Sequence, residues 1–262
     1  MSAETILTTL DRGWLTITLN QPANRNALSD AMVADVSSVL TAVADDRDVR
    51  GITFRGAGKV FCAGGDLKGF QRELNEASLA TINAVSRRAG GLFHQINEMP
   101  QVVVMLVHGA AIAGGLGMMC AGDIVAVTAD TRFALTETQL GIVPAQIAPL
   151  VIQRAGQATA RRLMLTGARF DAQQAQTFGL ADFVVDDGDA LNAIESQMQT
   201  DVRRCAPGAV AATKSLLRSL TGLQRTTLID NAAEVFAERL ASDEGREGIG
   251  AFIEKRAPRW HE

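Results

Sequence analysis

The sequence predicts a mixed α/β fold that ends in a purely helical part. Three observations lead there. Apolar runs of buried-strand length, such as Val102 to Val107, alternate with helices that carry an apolar stripe. Small residues gather where a strand hands the chain to the next element, at 62–65 and again at 109–117. From Asp189 onward only helical patterns remain.

Residues 5–10 and 14–19 alternate around Asp11-Arg12-Gly13, the pattern of a β-hairpin with a glycine in its turn. Asn20-Gln21-Pro22 ends it, and Asn24-Arg25-Asn26-Ala27-Leu28 is a polar loop. Ser29 caps a helix to about Ala44, with Met32, Val33, Val36, Val39, Leu40 and Val43 on one face. Gly51 to Phe54 is a strand, and it leads into Phe61-Cys62-Ala63-Gly64-Gly65-Asp66-Leu67. Residues 68–98 read as helix with a soft break at Gly90-Gly91, closed by Pro100.

The central stretch runs from Val102 through His108-Gly109-Ala110-Ala111-Ile112-Ala113-Gly114-Gly115-Leu116-Gly117-Met118-Met119 to a second strand at Ile124–Val127. Strand, small-residue turn, short buried helix, strand is its simplest reading. Beyond it, Arg132–Leu135 is a short strand that delivers Thr136-Glu137-Thr138, and Gly141-Ile142-Val143-Pro144 turns the chain. Helices are expected at 147–156, 157–166 and 171–178, a last strand at Asp182–Val185, and helices at 207–220, 224–241 and 243–256.

Gly114 and Gly115 stand at a helix start, where backbone N–H groups lack intrahelical partners and attract negative charge. Where the charge develops only during a reaction, such donors form an oxyanion hole. The small-residue loop at 62–65 offers a second set of bare amides. Close packing of helix against strand remains the other reading of these glycines. Nucleotide loops fail on the letters: a phosphate loop needs Lys and Ser or Thr after its last glycine, where Gly115 and Leu116 stand, and a dinucleotide loop needs a glycine at Cys120.

At 262 residues, 47% hydrophobic and 21% charged, the chain has the composition of a soluble enzyme. A net charge of −4, no tyrosine and 5% aromatic content argue against a nucleic-acid surface. Cys62, Cys120 and Cys205 are odd in number and widely spaced, which suits reduced thiols in a cytoplasm rather than disulfides or a zinc site. No run approaches membrane-spanning length, and no signal segment is visible.

Taken together, the motifs resemble the crotonase family, the enoyl-CoA hydratase/isomerase superfamily. The likeness rests on Asn20-Gln21-Pro22 through Leu28, on Phe61 through Leu67 and on Gly109 through Ile124. It continues in Leu135-Thr136-Glu137 with Leu140-Gly141-Ile142-Val143-Pro144, in Glu247-Gly248 and in Ala251 through Arg256. The resemblance implies a spiral of repeated ββα units over 1–188 and a helical trimerisation domain over 189–262. It implies homotrimers or hexamers, an acyl-CoA thioester substrate, and no cofactor or metal. By position it assigns the two hole donors to the N–H groups of Ala63 and Gly114. The backbone of Ala63, Gly64, Gly65, Asp66 and Leu67 would border the CoA adenine, and Arg25 would lie near the CoA phosphates. Gly115 and Gly117 belong to the expected substrate surface, and Phe252 and Lys255 would reach the CoA of a neighbouring subunit.

Many two-carboxylate hydratases of the family carry one Glu at the position of Gly117 and another at that of Glu137; this chain has only the second. The local sequence around 115–119 and 135–149 resembles the branch acting on 3-methylglutaconyl-CoA and isohexenylglutaconyl-CoA. The expected activity is therefore addition of water across a 2-enoyl-CoA, with Glu137 managing the proton alone. A 3-enoyl-to-2-enoyl isomerase with Glu137 as shuttle is the alternative, and a noncatalytic or RNA-binding member is a third. A glutaconyl-type substrate needs a cation for its second carboxylate, for which Lys68 and Arg72 are the candidates. Asp66, Asp123, His94 and His108 read as structural.

Overall fold

The computed structural model describes residues 4–66, 78–219 and 225–261. The expected hairpin is present: β1 (Ile6–Asp11) pairs antiparallel with β2 (Trp14–Leu19), and Arg12 and Gly13 both have positive φ, as a two-residue turn between twisted strands requires. Helix α1 (Asp30–Val43) follows, with the Ser29 hydroxyl accepting the Met32 N–H as its cap. From there the chain builds two sheets by alternating between them. The larger sheet has the order β1-β2-β3-β4-β6-β9, comprising β3 (Gly51–Gly56), β4 (Val102–Val107), β6 (Ile124–Thr128) and β9 (Phe183–Val185), all parallel after the hairpin. The smaller has the order β5-β7-β8, from β5 (Ala110–Ile112), β7 (Arg132–Ala134) and β8 (Arg169–Asp171). Repeated passage from one sheet to the other, with a helix between, is the spiral of strand-strand-helix turns.

Helix α2 (Leu79–Glu98) packs on α1. It runs without the expected break at Gly90: the Gln146 side chain lies where a Cβ at residue 90 would stand. The part of that expected helix over residues 68–77 lies outside the described residues. The short helix α3 (Gly114–Cys120) is buried from Gly115 to Cys120. Helix α4 (Ala148–Thr166) spans the two helices expected at 147–156 and 157–166; Gly156, with φ +73°, kinks it where the division was read. Two strands are not visible in the sequence, β5 and β8: Ala110-Ala111-Ile112 lies inside a small-residue turn with one β-branched residue, and Arg169-Phe170-Asp171 sets a single apolar residue between two charges, so neither composition marks a strand. The expected helix at 171–178 is α5 (Ala172–Thr177), which Asp171 caps as the last residue of β8.

One apolar core lies between the sheets and helices α1, α2 and α4. On the outer face of the larger sheet, Trp14, Val104, Leu106 and Ala126 pack against Leu191 and Val202 of α6 (Gly188–Arg203). The segment expected to open a separate helical domain thus begins by covering the sheet. Helices α7 (Pro207–Ser219), α8 (Arg225–Ala241) and α9 (Asp243–Glu254) then pack in sequence, α7 on α8 and α8 on α9. Lys214 ties α7 to the core, its Nζ donating to Gln101 O at 2.7 Å and Asp123 Oδ2 at 2.5 Å. Asp123 also accepts the Val103 N–H, so it is held entirely by structural partners. Among the described residues no helix is long and apolar enough to cross a membrane.

Candidate active site

A cavity of about 420 Å³ opens where the loops after β3 and β5 meet α1 and the segment that follows β7. Its floor is set by the loop at 21–28. Asn26 is fully buried with φ +55°, and its Nδ2 donates to the carbonyls of Ala57, Val60 and Phe61 while its Oδ1 accepts the Gln21 N–H. One amide side chain thus joins two loops. Leu28 completes the join: its N–H donates to Gly64 O at 2.8 Å, and its carbonyl accepts the Asp66 N–H at 3.3 Å. Gly65 is held from both sides.

This framework changes the expected donor pair. The Ala63 N–H donates to Arg25 O at 3.0 Å, and Ala63 is not in the cavity wall. A spent amide cannot stabilise an oxyanion, so the Ala63 assignment does not hold. Gly65 lies in the wall, nothing stands within 4 Å of where its Cβ would be, and its N–H has no partner among the described residues. A Cβ at Gly114 would lie 3.6 Å from Gly65 N, so the two amides flank one spot. Gly64, with φ +96°, makes the turn that exposes Gly65. Ala113 does the same for Gly114 from a strained conformation, φ +49° and ψ −118°, held by its N–H on Ala134 O and its carbonyl on the Gly117 N–H. The sequence singles out neither Asn26 nor Ala113; the Asn just before Ala27-Leu28 in a polar loop is the one sign it offers for the first, and its burial is visible only in the structure.

Glu137 opens a 3-10 turn (Glu137–Leu140) directly after β7 and lines the same cavity. It is 8% exposed, and its Oε2 is buried without a hydrogen-bond partner among the described residues. Burial pushes its carboxyl above the ordinary carboxylate value, opposed in part by its own backbone N–H. An unpartnered carboxyl oxygen in a cavity wall, its pKa raised by burial, is suited to taking and returning protons.

The missing second carboxylate has a steric account. A Cβ at Gly117 would lie 2.6 Å from Ile147 Cβ and closer still to Cγ2, so the Ile147 side chain occupies the volume a residue 117 side chain would need. Ile147 is 3% exposed and forms part of the cavity wall, whereas Gly117 does not reach it. Gly115 is likewise a packing glycine, since a Cβ there would meet Cys62 Cβ at 2.9 Å. The expectation that Gly115 and Gly117 touch substrate is therefore corrected: both serve close approach of α3, the reading that had stayed open beside the anion site.

The remaining wall is largely apolar, with Val33, Val85, Ala89, Phe93 and Pro144 prominent. Its polar members include Ser86, which accepts from Gln146 Nε2 at 3.0 Å, and Asp30, which pairs with Arg88 at 2.5 Å. Asp66 lies in the wall beside Gly65. Arg25 is exposed in a left-handed conformation, outside the wall. Phe252 is 85% exposed and Lys255 caps α9, both distant in sequence from any wall residue. Leu67, Lys68 and Arg72 lie outside the described residues. Burial raises the thiols of Cys62 and Cys120 to about 12, so neither is a nucleophile at neutral pH. The His108 ring nitrogen Nε2 bonds Gly58 O at 3.0 Å, a structural role. No group of three or more metal-ligating side chains converges among the described residues.

The enoyl-CoA hydratase/isomerase family model matches residues 10–262. The structure of AtuE from Pseudomonas aeruginosa superposes with a TM-score of 0.95 at 45% identity, covering 99% of this chain and 100% of that one. Two Escherichia coli K12 enzymes are each 30% identical: 1,2-epoxyphenylacetyl-CoA isomerase, over 98% of both chains, and 2,3-dehydroadipyl-CoA hydratase, over 93% of both. The chain belongs to the enoyl-CoA hydratase/isomerase (crotonase) family, whose members act on CoA thioesters and need no separate cofactor.

Proposed function

We propose that the chain is a single-carboxylate enoyl-CoA hydratase. The observation that carries this reading is the pairing of two unspent amides, Gly65 and Gly114, with one buried carboxyl, Glu137, in one cavity. The thioester oxygen accepts both N–H groups. Water then attacks C3 of the 2-enoyl chain, its proton passes to Glu137, and the electron pair of the double bond moves onto the thioester as an enolate. Glu137 returns that proton to C2, which restores the thioester and leaves the net addition of water. Each amide supplies roughly 3 kcal/mol to the developing oxyanion. Arg25, exposed beside the loop, meets the CoA phosphates, and the loop backbone at 63–66 borders the adenine.

The favoured substrate is a branched glutaconyl-type thioester. Ile147 in the volume of a second carboxylate gives an apolar wall that suits a branch, and the Asp30–Arg88 pair brings a cation beside the wall for a distal carboxylate. A relative named for 2,3-dehydroadipyl-CoA handles an acyl chain of dicarboxylic type. A 3-enoyl-to-2-enoyl isomerase is the second reading, because a lone carboxylate can take a proton from C2 and return it to C4. Spectrophotometry over 2-enoyl, 3-enoyl and branched glutaconyl CoA thioesters separates them. Loss of the conjugated thioester band with the 2-enoyl or glutaconyl substrates supports the hydratase, and gain of the band with the 3-enoyl substrate alone supports the isomerase.

The same reading makes the enzyme a homotrimer or a hexamer built through residues 189–262. Leu217, Ile229, Phe236, Ile249, Phe252 and Ile253 are all exposed on α7–α9, more apolar surface than a lone chain leaves in water. In that assembly Phe252 and Lys255 reach a neighbour's CoA. The three free thiols, with Cys205 exposed, suit a reducing compartment such as the cytoplasm.

A further inference from the structure

The catalytic cavity lies beyond the C-terminal ends of the parallel strands. A second cavity of about 670 Å³ lies at their opposite end, where β3 begins, one strand length or about 20 Å away. Arg12, Arg47, Arg50, Arg203 and Arg259 line it, against the single carboxylate of Asp48. Trp260 and His261 complete the wall. Five guanidiniums around one cavity are conspicuous in a chain of net charge −4.

Their own contacts hold the arginines in position while leaving charge to spare. Arg50 donates to the carbonyls of Val202, Arg203, Cys205 and Trp260, which fastens the end of α6 and the C-terminal segment to β3. Arg203 donates to Arg12 O. Carbonyl acceptors fix a guanidinium without cancelling its charge. Arg12 and Arg259 have carboxylate neighbours, Asp11 and Glu247, but the Arg12 pair is solvent-exposed and the Arg259 pair is long at 3.7 Å. Arg47 is exposed and has no side-chain partner among the described residues.

We infer that this cavity binds a polyphosphate anion of diphosphate or triphosphate size. Planar guanidiniums recognise phosphate oxygens through paired N–H donors, and several spaced around one volume match a chain of phosphates better than a single one. The half-buried indole of Trp260 gives the cavity an aromatic side that a nucleoside would use and inorganic polyphosphate would not. Nothing in this inference depends on the catalytic reading.

The test uses the full-length protein at 0.15 M salt with saturating CoA, which fills the catalytic side. Pyrophosphate, tripolyphosphate, ADP and ATP are titrated by calorimetry and by tryptophan fluorescence. Saturable binding of at least one probe, weakened about 10-fold or more by Arg47→Glu, is expected from loss of one charged contact and its reversal. Trp260→Phe should remove the fluorescence change while the heat remains. Arg25→Glu should weaken CoA binding yet leave the probe's affinity unchanged, so failure of the catalytic reading stays distinguishable. ADP binding tighter than pyrophosphate assigns the site to a nucleotide; equal affinity assigns it to inorganic polyphosphate. No saturable heat with any of the four probes overturns the inference. So does binding that survives Arg47→Glu and disappears with Arg25→Glu.

Discussion

A side chain at residue 117 should be intolerable only because Ile147 is there. A Cβ at 117 would sit 2.6 Å from Ile147 Cβ, about 1 Å inside the distance at which carbon atoms attract. Overpacking of this kind costs about 1–3 kcal/mol, while Gly→Ala inside a helix gains about 1 kcal/mol. Gly117→Ala alone should therefore destabilise by up to about 2 kcal/mol. Ile147→Gly removes the obstruction and loses a buried side chain, at about 3–5 kcal/mol; at the residue just before α4, glycine is acceptable to the backbone. In that background Gly117→Ala should become neutral or stabilising. At about 2–4 °C per kcal/mol for a chain near this size, removing an overpacking cost of about 1–3 kcal/mol makes the swing between backgrounds about 2–12 °C in thermal midpoint, measured at one protein concentration. Turnover should follow: Gly117→Glu should be inactive in the Ile147 background and regain activity on unbranched 2-enoyl thioesters with Ile147→Gly. If Gly117→Ala lowers the midpoint equally in both backgrounds, Ile147 is not what keeps residue 117 a glycine.

Gly114→Ala meets only ordinary contacts, Leu28 Cδ1 at 3.5 Å and Gly65 N at 3.6 Å, so the thermal midpoint should hold while turnover falls about 10²-fold as the methyl covers the amide pair; Ala63→Gly, at a spent amide, should keep most activity. Asn26→Ala strands the buried carbonyl of Phe61 and the partly buried ones of Ala57 and Val60 and should cost about 1–3 kcal/mol, seen in denaturant unfolding, together with a loss of turnover as the loop carrying Gly65 loosens. Glu137→Gln should raise stability at pH 7–8. The folded protein pays there to keep a buried carboxylate charged, since burial raises its pKa, and the gain should vanish as pH falls below about 4, where the carboxyl is neutral in both folded and unfolded states. Light scattering at micromolar concentration should find a trimer or hexamer; a monomer would contradict the role given to α7–α9.

Most of the architecture was legible because its signals are periodic. The β-branched run at 102–107, the Ser29 cap and the apolar stripe of α1 each speak through several residues at once. Strands β7 and β9 are equally short but carry apolar runs, Phe133-Ala134-Leu135 and Phe183-Val184-Val185, whereas β5 is Ala-Ala-Ile within a small-residue turn and β8 has one apolar residue between two charges. Within the site, Glu137 and Gly114 could be picked out by residue type and family likeness. The donor pair could not be completed that way. Whether Ala63 or Gly65 offers its amide depends on which N–H the loop at 21–28 consumes, and the Arg25 carbonyl takes that of Ala63. The roles of Gly115 and Gly117 were hidden for the same reason: a glycine records that space is scarce, and only tertiary structure identifies Cys62 and Ile147 as the residues that fill it.

The most direct test of the account is the turnover of Glu137→Gln on the best thioester of the substrate panel, measured beside acyl-CoA affinity. Glutamine keeps the shape and hydrogen bonding of the side chain but cannot accept a proton at neutral pH. With Gly65 and Gly114 intact and Glu137 as the group that moves the proton, turnover should fall by about 10²-fold or more while affinity stays within a few-fold of the unaltered enzyme. Full activity in Glu137→Gln would mean that another group moves the proton, and the single-carboxylate mechanism would be wrong.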